Sequence, residues 1–180
     1  MKLSPKLLVL SLLAASAVSA MATPGTASAR ALLAGASAKA RAEKKNVMVI
    51  FHASWCGWCH RMDDMLESAA FKSIFNNSYV ITHVVVLENG DKKSLENEGG
   101  MDLMAQLGAP KDSGIPYFAV LTPDGKKIGD SLLPNKQNMG YPSEPAEVAA
   151  FKVLLQKTAP HMTGNDISKV VTFLSTKKTG

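Results

Sequence analysis

Runs of apolar residues in the middle of the chain are the strongest pattern in the sequence. Residues 47–52 form a continuous apolar run of strand length, which predicts a strand buried on both faces of a sheet. Residues 79–87 and 117–121 are further runs rich in β-branched or aromatic side chains, and they predict two more strands. A Thr-Pro-Asp-Gly turn at 122–125 predicts a hairpin in which residues 127–133 form the last strand.

The segments around these strands predict helices. Residues 31–45 are mostly strong helix formers, and residues 57–76 carry apolar side chains at helical spacing until an Asn-Asn pair ends the pattern. Further helices are predicted at residues 102–107, 145–158 and 165–175. The charge-rich stretch 88–98 is interpreted as a solvated loop, and residues 134–145 as irregular.

The order of these elements predicts the fold class. Helices and strands alternate at first, and the last two strands form an antiparallel pair. This order predicts an α/β fold with a central mixed sheet flanked by helices, an N-terminal helix and one extra C-terminal helix. A chain of 180 residues suits one domain, which we assign to residues 31–178, since domains most often have roughly 100–150 residues.

The first twenty residues have the layout of a secretory signal peptide. Lys2 and Lys6 precede an apolar core, and small residues provide cleavage sites after residue 20, 22 or 29. The core is shorter than the about 20 apolar residues of a transmembrane helix, although an uncleaved anchor stays open as an alternative. Residues 21–30 are predicted to be a flexible linker. We therefore expect a periplasmic or secreted protein without stable membrane insertion after cleavage.

The charge of the chain bears on its partners. Its net charge is +5 at pH 7, and the basic residues are scattered rather than arranged in a stripe between aromatic residues. Nucleic acid is therefore not expected as a partner, and we expect a monomer.

The two cysteines of the chain, Cys56 and Cys59, lie between a predicted strand and a predicted helix. This placement is typical of a reversible redox disulfide. A structural staple gains most by closing a long loop, and a zinc site needs three or four ligands, so neither suits this pair. With His60, the pair also matches the C-x-x-C-H pattern of c-type haem attachment, which stays open as a minor alternative.

The predicted start of a helix gives the two thiols different roles. Unpaired N–H groups and the helix dipole favour an anion at Cys56, which we predict to be the attacking thiolate. Cys59, one turn into the helix, is predicted to be more buried and to resolve the mixed disulfide. A cationic His60 would stabilise the nearby thiolate.

Two motifs carry a resemblance to a known family. Residues 55–59, Trp-Cys-Gly-Trp-Cys, follow a strand and resemble the active site of the thioredoxin superfamily. The motif Gly-Ile-Pro at 114–116, directly before the strand 117–121, is similar to the second signature of that superfamily. With the export signal, the chain is similar to periplasmic thioredoxin-like and thiol–disulfide interchange domains more than to cytosolic thioredoxin. The resemblance covers about residues 31–158.

This resemblance implies a thioredoxin fold and specific site residues. Pro116 would be cis and face the disulfide, and the backbone of Ile115 would pair with the substrate chain. The remaining predicted substrate-binding residues are Trp55, Gly57 and Trp58. The implied activity is thiol–disulfide exchange on exported protein substrates, with a redox partner protein and without a cofactor or metal. The direction of electron flow is left open.

Two positions depart from the pattern of cytosolic thioredoxins. Trp58 stands where they have a proline, and Ile50 stands where they have a buried Asp that relays the proton of the resolving thiol. Either another group, such as His60 or Glu43, takes this role, or Cys59 loses its proton more slowly. A binding or chaperone module with little redox turnover is therefore the competing interpretation.

Overall fold

The computed structural model describes residues 27–176. The predicted signal peptide, residues 1–20, lies outside this range, as do residues 21–26 of the predicted linker and residues 177–180. Within the range, strands and helices follow the order that the hydrophobic pattern predicts, with one predicted helix divided in two.

Helices precede, separate and follow the strands. The helices are α1 (Ala29–Glu43), α2 (Gly57–Glu67), α3 (Lys72–Ser78), α4 (Gly100–Gln106), α5 (Pro145–Thr158) and α6 (Gly164–Thr176). The strands are β1 (Asn46–His52), β2 (Tyr79–Val85), β3 (Tyr117–Leu121) and β4 (Lys127–Asp130). A short 3-10 helix, Gly90–Leu95, lies between β2 and α4. In the part of the chain that the structure describes, no helix is both long and apolar enough to cross a membrane.

The strands of the described residues form one mixed sheet in the order β2-β1-β3-β4. β1 pairs with β2 in parallel and with β3 in antiparallel orientation, and β3 pairs with β4 in antiparallel orientation. Helices cover both faces of this sheet, which confirms the predicted α/β class with an N-terminal and an extra C-terminal helix.

Strand β1 lies inside the sheet and is buried on both faces, as its apolar run predicts. Met48 and Ile50 pack into a core that includes residues of α2, α5 and α6. Val47, Val49 and Phe51 point to the other face, into a core that includes residues of α1 and α4. Because the cysteine motif follows β1 directly, this double packing holds the strand end from which the site begins.

The helix predicted over residues 57–76 is interrupted at Ser68. There the backbone is extended, with φ −61° and ψ 149°, and the hydroxyl donates to the Met65 carbonyl at 2.8 Å. A serine that bonds nearby backbone in this way competes with the helical hydrogen bonds. The apolar spacing continues through the break because Phe71 and Phe75 remain buried in the same core.

Other boundaries shift by a few residues for local reasons. α1 begins at Ala29, inside the predicted linker, because the Ser28 hydroxyl accepts from the Ala31 N–H at 3.3 Å and caps the helix. β2 ends at residue 85 rather than 87, and β4 ends at residue 130 rather than 133. After β4, the Asp130 carboxylate accepts from the Leu132 N–H at 3.0 Å, a local bond that competes with the strand ladder.

The stretch 88–98, interpreted from the sequence as a solvated loop, is partly buried. Glu88 and Asn97 are only 2% and 9% exposed. The Asn97 side chain accepts from the Val85 N–H at 2.7 Å and donates to the Ala27 carbonyl at 2.8 Å. Residues 89–95 are exposed, as predicted. The prediction was wrong at Glu88 and Asn97, because these polar groups find partners on β2, just before α1 and beside the cysteines.

Candidate active site

A disulfide joins Cys56 and Cys59 at the start of α2, with 5.2 Å between the two Cα atoms. Cys56 is the N-cap residue of the helix, and its Sγ accepts from the Cys59 N–H at 3.1 Å. Both residues are buried, with 3% of Cys56 and 1% of Cys59 exposed. The exposure follows the predicted order but differs so little that position on the helix, rather than burial, distinguishes the two sulfurs.

The backbone before Cys56 is held by hydrogen bonds to Ser54. The Glu88 carboxylate accepts from the Ser54 N–H at 2.6 Å and from the Ser54 hydroxyl at 2.9 Å. The His60 Nε2 lies 2.9 Å from the Ser54 carbonyl oxygen and ties the first turn of α2 to the same residue. Lys92 Nζ also donates to the Ser54 hydroxyl, at 3.2 Å. Ser54 is thus bonded through its N–H, its carbonyl and its side chain.

The two predicted tryptophans lie on the surface around the disulfide. Trp55 is 52% exposed, and its Nε1 donates to the Leu87 carbonyl at 2.8 Å. Trp58 is 44% exposed and stacks on Tyr141 at 6.1 Å between ring centroids. The Arg61 guanidinium lies 4.8 Å from the centre of the Trp58 ring, within cation–π distance. Both rings therefore present a large apolar surface in a fixed orientation.

The cis-proline loop, residues 114–116, lies against the disulfide. The Ile115–Pro116 peptide bond is cis. The Ile115 carbonyl oxygen lies 3.5 Å from Cys56 Sγ, and the Ile115 side chain packs on the cluster of Ala53 with the two cysteines. The structure thus brings together the two motifs that lie far apart in the sequence.

An open groove of about 610 Å³ runs beside this loop. Trp58 and the cis-proline loop line one part of it, and residues 136–140 of the segment after β4 line another. At Gly57 and Gly114, the positions that a Cβ would occupy have no atom within 4 Å, so both glycines border open space. The exposed Trp58 and the cis-proline loop thus border the same groove.

The position at which cytosolic thioredoxins have a buried Asp is apolar in this chain. Ile50 is 1% exposed and belongs to the core that contains Met62 of α2. Glu43 lies before the start of β1, whereas the cysteines follow the end of this seven-residue strand. The Glu43 carboxylate pairs with the Lys45 ammonium group at 2.5 Å. Because a strand rises about 3.3 Å per residue, Glu43 is at the opposite end of the sheet and does not replace the missing acid.

Titratable groups do lie near the site, at the end of β1. The rings of His52 and His83 are 4.9 Å apart, and the His83 Nε2 lies 2.8 Å from an Asp63 carboxylate oxygen of α2. Burial lowers the pKa of His52, and the neighbouring His83 lowers it further, while Asp63 and Glu88 oppose this shift. Neither histidine is among the site residues that the sequence predicts.

The described residues contain no group of three His, Cys, Asp or Glu side chains that could hold a metal ion. The two sulfurs bond each other, and the one imidazole in the motif bonds the Ser54 carbonyl.

The mixed sheet, the disulfide at the start of α2 and the cis-proline beside it define a protein of the thioredoxin fold with a disulfide-bonded C-x-x-C pair. A family model described as Thioredoxin-like matches residues 28–123, more than half of the chain. The chain belongs to this thioredoxin-like family.

Individual proteins are also similar to the chain. The chain is similar to a protein disulfide-isomerase from Hordeum vulgare, with 27% identity over 117 residues. That match covers 59% of this chain but 20% of the barley protein, so the chain spans about a fifth of its length. A solved disulphide isomerase structure from Xylella fastidiosa Temecula1 has 18% identity and a TM-score of 0.50, over 82% of this chain and 92% of that one. A DsbH oxidoreductase structure has 22% identity and a TM-score of 0.43, over 82% and 95%.

Three residues of the site escaped sequence reasoning: Ser54, Glu88 and Asn138. Ser54 lies directly before the tryptophan–cysteine pair, and this adjacency could have identified it as a site residue. Glu88 and Asn138 lie 32 and 82 positions after Cys56, in segments interpreted as solvated or irregular. The Glu88 carboxylate accepts from the Ser54 N–H, just before the cysteine motif. The Asn138 amide donates to the Gly114 and Pro116 carbonyls of the cis-proline loop. Nothing in the sequence indicates such long-range bonds to backbone.

Proposed function

We propose that this protein exchanges thiols and disulfides on exported protein substrates through Cys56 and Cys59. The observation that carries the proposal is the Cys59 N–H, which donates to Cys56 Sγ at 3.1 Å in the first turn of α2. An N–H donor and the positive end of a helix dipole stabilise a thiolate more than a thiol. These two features support Cys56 as the attacking sulfur and Cys59 as the resolving one.

The reaction in the reducing direction has two steps. The Cys56 thiolate attacks one sulfur of a substrate disulfide, and the other substrate sulfur leaves as a thiolate. Cys59 then loses its proton and attacks the Cys56 sulfur, which releases the second substrate thiolate and forms the Cys56–Cys59 disulfide. The substrate gains two electrons and the protein loses two. The reverse sequence oxidises a substrate, and in either case a redox partner protein restores the starting state.

The surface around the disulfide supports a polypeptide as substrate. Trp55 and Trp58 expose about half of their surface beside the buried sulfurs. Exposed aromatic rings provide apolar contact area with few side-chain rotations to restrict. The Ile115 backbone borders the same surface and offers hydrogen-bonding groups to an extended chain. Gly57 leaves the approach to the sulfurs open.

We also infer export, with residues 1–20 as the signal peptide and a mature thioredoxin-like domain that acts as a monomer. The Ser28 cap of α1 bears on the cleavage site, because the Ser28 hydroxyl accepts from the Ala31 N–H. Cleavage after residue 20 or 22 leaves this cap in the mature protein, whereas cleavage after residue 29 removes it. Loss of a serine cap typically costs about 1 kcal/mol, which favours the earlier sites.

Mixed-disulfide trapping tests the assigned roles. With Cys59→Ser, the second step is blocked, so covalent partners should accumulate on Cys56 and be released by dithiothreitol. Cys56→Ser is the matched control, because it retains one thiol of the pair but lacks the attacking sulfur. Recovery of equal amounts of covalent partner from the two variants would contradict the roles.

The competing function is that of a binding or chaperone module with little redox turnover. An insulin-reduction assay distinguishes the two, because only exchange requires the attacking sulfur. We expect Cys56→Ser to abolish the activity above background. Equal rates for wild type and Cys56→Ser would favour the binding module.

A further inference from the structure

Asn138 lies between β4 and α5 and holds the cis-proline loop. Its Nδ2 donates to the carbonyl oxygens of Gly114, at 2.7 Å, and Pro116, at 3.0 Å. Its Oδ1 accepts from the Ser131 hydroxyl at 2.7 Å and from the Gly140 N–H at 3.2 Å. A side-chain amide has two donors and two acceptor lone pairs, so Asn138 uses its full hydrogen-bonding capacity.

The two bound carbonyls flank Ile115 on either side. Between them, the Ile115 carbonyl oxygen faces the disulfide, 3.5 Å from Cys56 Sγ. No hydrogen bond between residues 27 and 176 uses the Ile115 N–H. An extended polypeptide that lies along the loop can pair with such a free backbone donor. The orientation of this donor is set by the peptide groups that Asn138 holds.

The amide is itself anchored to the sheet. Ser131 is fully buried, and its hydroxyl oxygen accepts from the Phe118 N–H of β3 at 3.1 Å while it donates to Asn138. A β-bridge between Leu132 and Asn138 closes the turn that follows. A hydrogen-bond chain thus runs from β3 through Ser131 and Asn138 to the cis-proline loop.

We propose that Asn138 is a positioning residue for substrate binding, which holds the Gly114 and Pro116 carbonyls so that the Ile115 backbone stays presented to an extended segment of a protein substrate. The inference rests on the proposed thiol–disulfide exchange. A small disulfide can reach Cys56 without pairing with the Ile115 backbone. Only polypeptide substrates should therefore depend on Asn138.

The test compares wild type with Asn138→Asp. This change keeps the Oδ1 acceptor and the side-chain shape, but it replaces the amide donor with a carboxylate oxygen that faces two carbonyls. Exchange is measured with insulin and with a small aromatic disulfide. We expect the KM for insulin to rise about tenfold, the factor expected from losing one or two neutral hydrogen bonds. The kcat for insulin and the rate with the small disulfide should stay within about twofold of wild type.

Two further variants separate positioning from damage to the fold. Asn135→Ala is the control, because Asn135 is exposed in the same turn and bonds Gln137 there. This variant should have the wild-type KM for insulin and the wild-type rate with the small disulfide. Asn138→Ala removes the donor without adding a charge, and it replaces Asn138→Asp if that variant does not fold.

The outcomes are distinguishable. An unchanged insulin KM in the Asn138 variants would overturn the inference, and so would an equal loss with insulin and the small disulfide, which indicates a distorted disulfide site. If wild type itself shows no Cys56-dependent exchange with either substrate, the proposed function fails and this inference fails with it.

Discussion

Glu88 offers the sharpest stability test of the site, because it is a buried carboxylate with a defined task. It is 2% exposed and accepts two hydrogen bonds from Ser54, at 2.6 Å from the backbone N–H and 2.9 Å from the hydroxyl. Glu88→Gln preserves the size of the side chain and one acceptor oxygen but removes the negative charge. The substitution therefore measures how much the negative charge contributes to holding the backbone before Cys56.

The expected magnitude follows from these two bonds. A hydrogen bond to a charged group contributes about 1.5–3 kcal/mol to stability, against about 0.5–1.5 kcal/mol for a neutral one. Two bonds each weakened by about 1 kcal/mol give an upper bound near 2 kcal/mol. The glutamine avoids part of the desolvation cost of a buried carboxylate, which offsets some of this loss. We therefore expect Glu88→Gln to lower the free energy of unfolding by about 1–2 kcal/mol.

Urea unfolding of the oxidised protein measures this loss, provided that the m-value is unchanged. Asp91→Asn is the matched control, since Asp91 is an exposed acid in the same segment and its change removes the same charge. We also expect insulin reduction to slow in Glu88→Gln and not in Asp91→Asn. A loss below about 0.5 kcal/mol, the range of ordinary surface substitutions, would refute the argument that the carboxylate holds the Ser54 backbone.

Two further predictions concern a histidine near the site and a hydrogen bond in the core at the other end of the sheet. His52 faces His83, Asp63, Glu88 and His60, and its pKa is lowered chiefly because the side chain is partly buried. The unfolded chain therefore binds this proton first as pH falls. Wild type should therefore lose stability as pH falls below about 6.5, the ordinary histidine pKa, and His52→Gln should reduce this loss in urea unfolding at about pH 7.5 and 5.5; an unchanged pH dependence would contradict the assignment. The Tyr79 hydroxyl contacts the Thr158 hydroxyl at 2.7 Å inside the core, so Tyr79→Phe should cost about 1 kcal/mol in urea unfolding and leave insulin reduction unchanged; reduced insulin turnover at wild-type stability would contradict this purely structural role.

The sequence predicted those features that depend on local pattern. The apolar run at 47–52 identifies β1 because a strand buried on both faces needs apolar side chains at every position. The break at Ser68 escaped prediction because the apolar spacing continues across it, and a single side-chain bond to Met65 decides where the helix ends. The strands were predicted to be too long for the same reason. Strand propensity contains no information about a local hydrogen bond such as the one from the Leu132 N–H to the Asp130 carboxylate.

The site also contains residues that the sequence predicts and residues that it does not. The cysteines and the Gly-Ile-Pro motif could be found because their residue types and spacing are characteristic. The residues that hold these motifs could not be found. A glutamate or an asparagine in an irregular segment looks the same in the sequence whether its side chain is solvated or buried. Glu88 and Asn138 differ from their polar neighbours only in the partners that the fold places beside them.

Each hydrogen bond that holds the backbone near the disulfide has a backbone atom as one of its two partners. Glu88 binds the Ser54 N–H, Leu87 binds the Trp55 indole through its carbonyl, and Asn138 binds the Gly114 carbonyl. Leu87 has a φ of 57°, a left-handed conformation that costs a branched side chain about 1 kcal/mol or more. Such a conformation persists where the surrounding contacts determine it, and here the buried Glu88 follows immediately. The segments after β2 and β4 therefore help to hold the backbone on both sides of the disulfide.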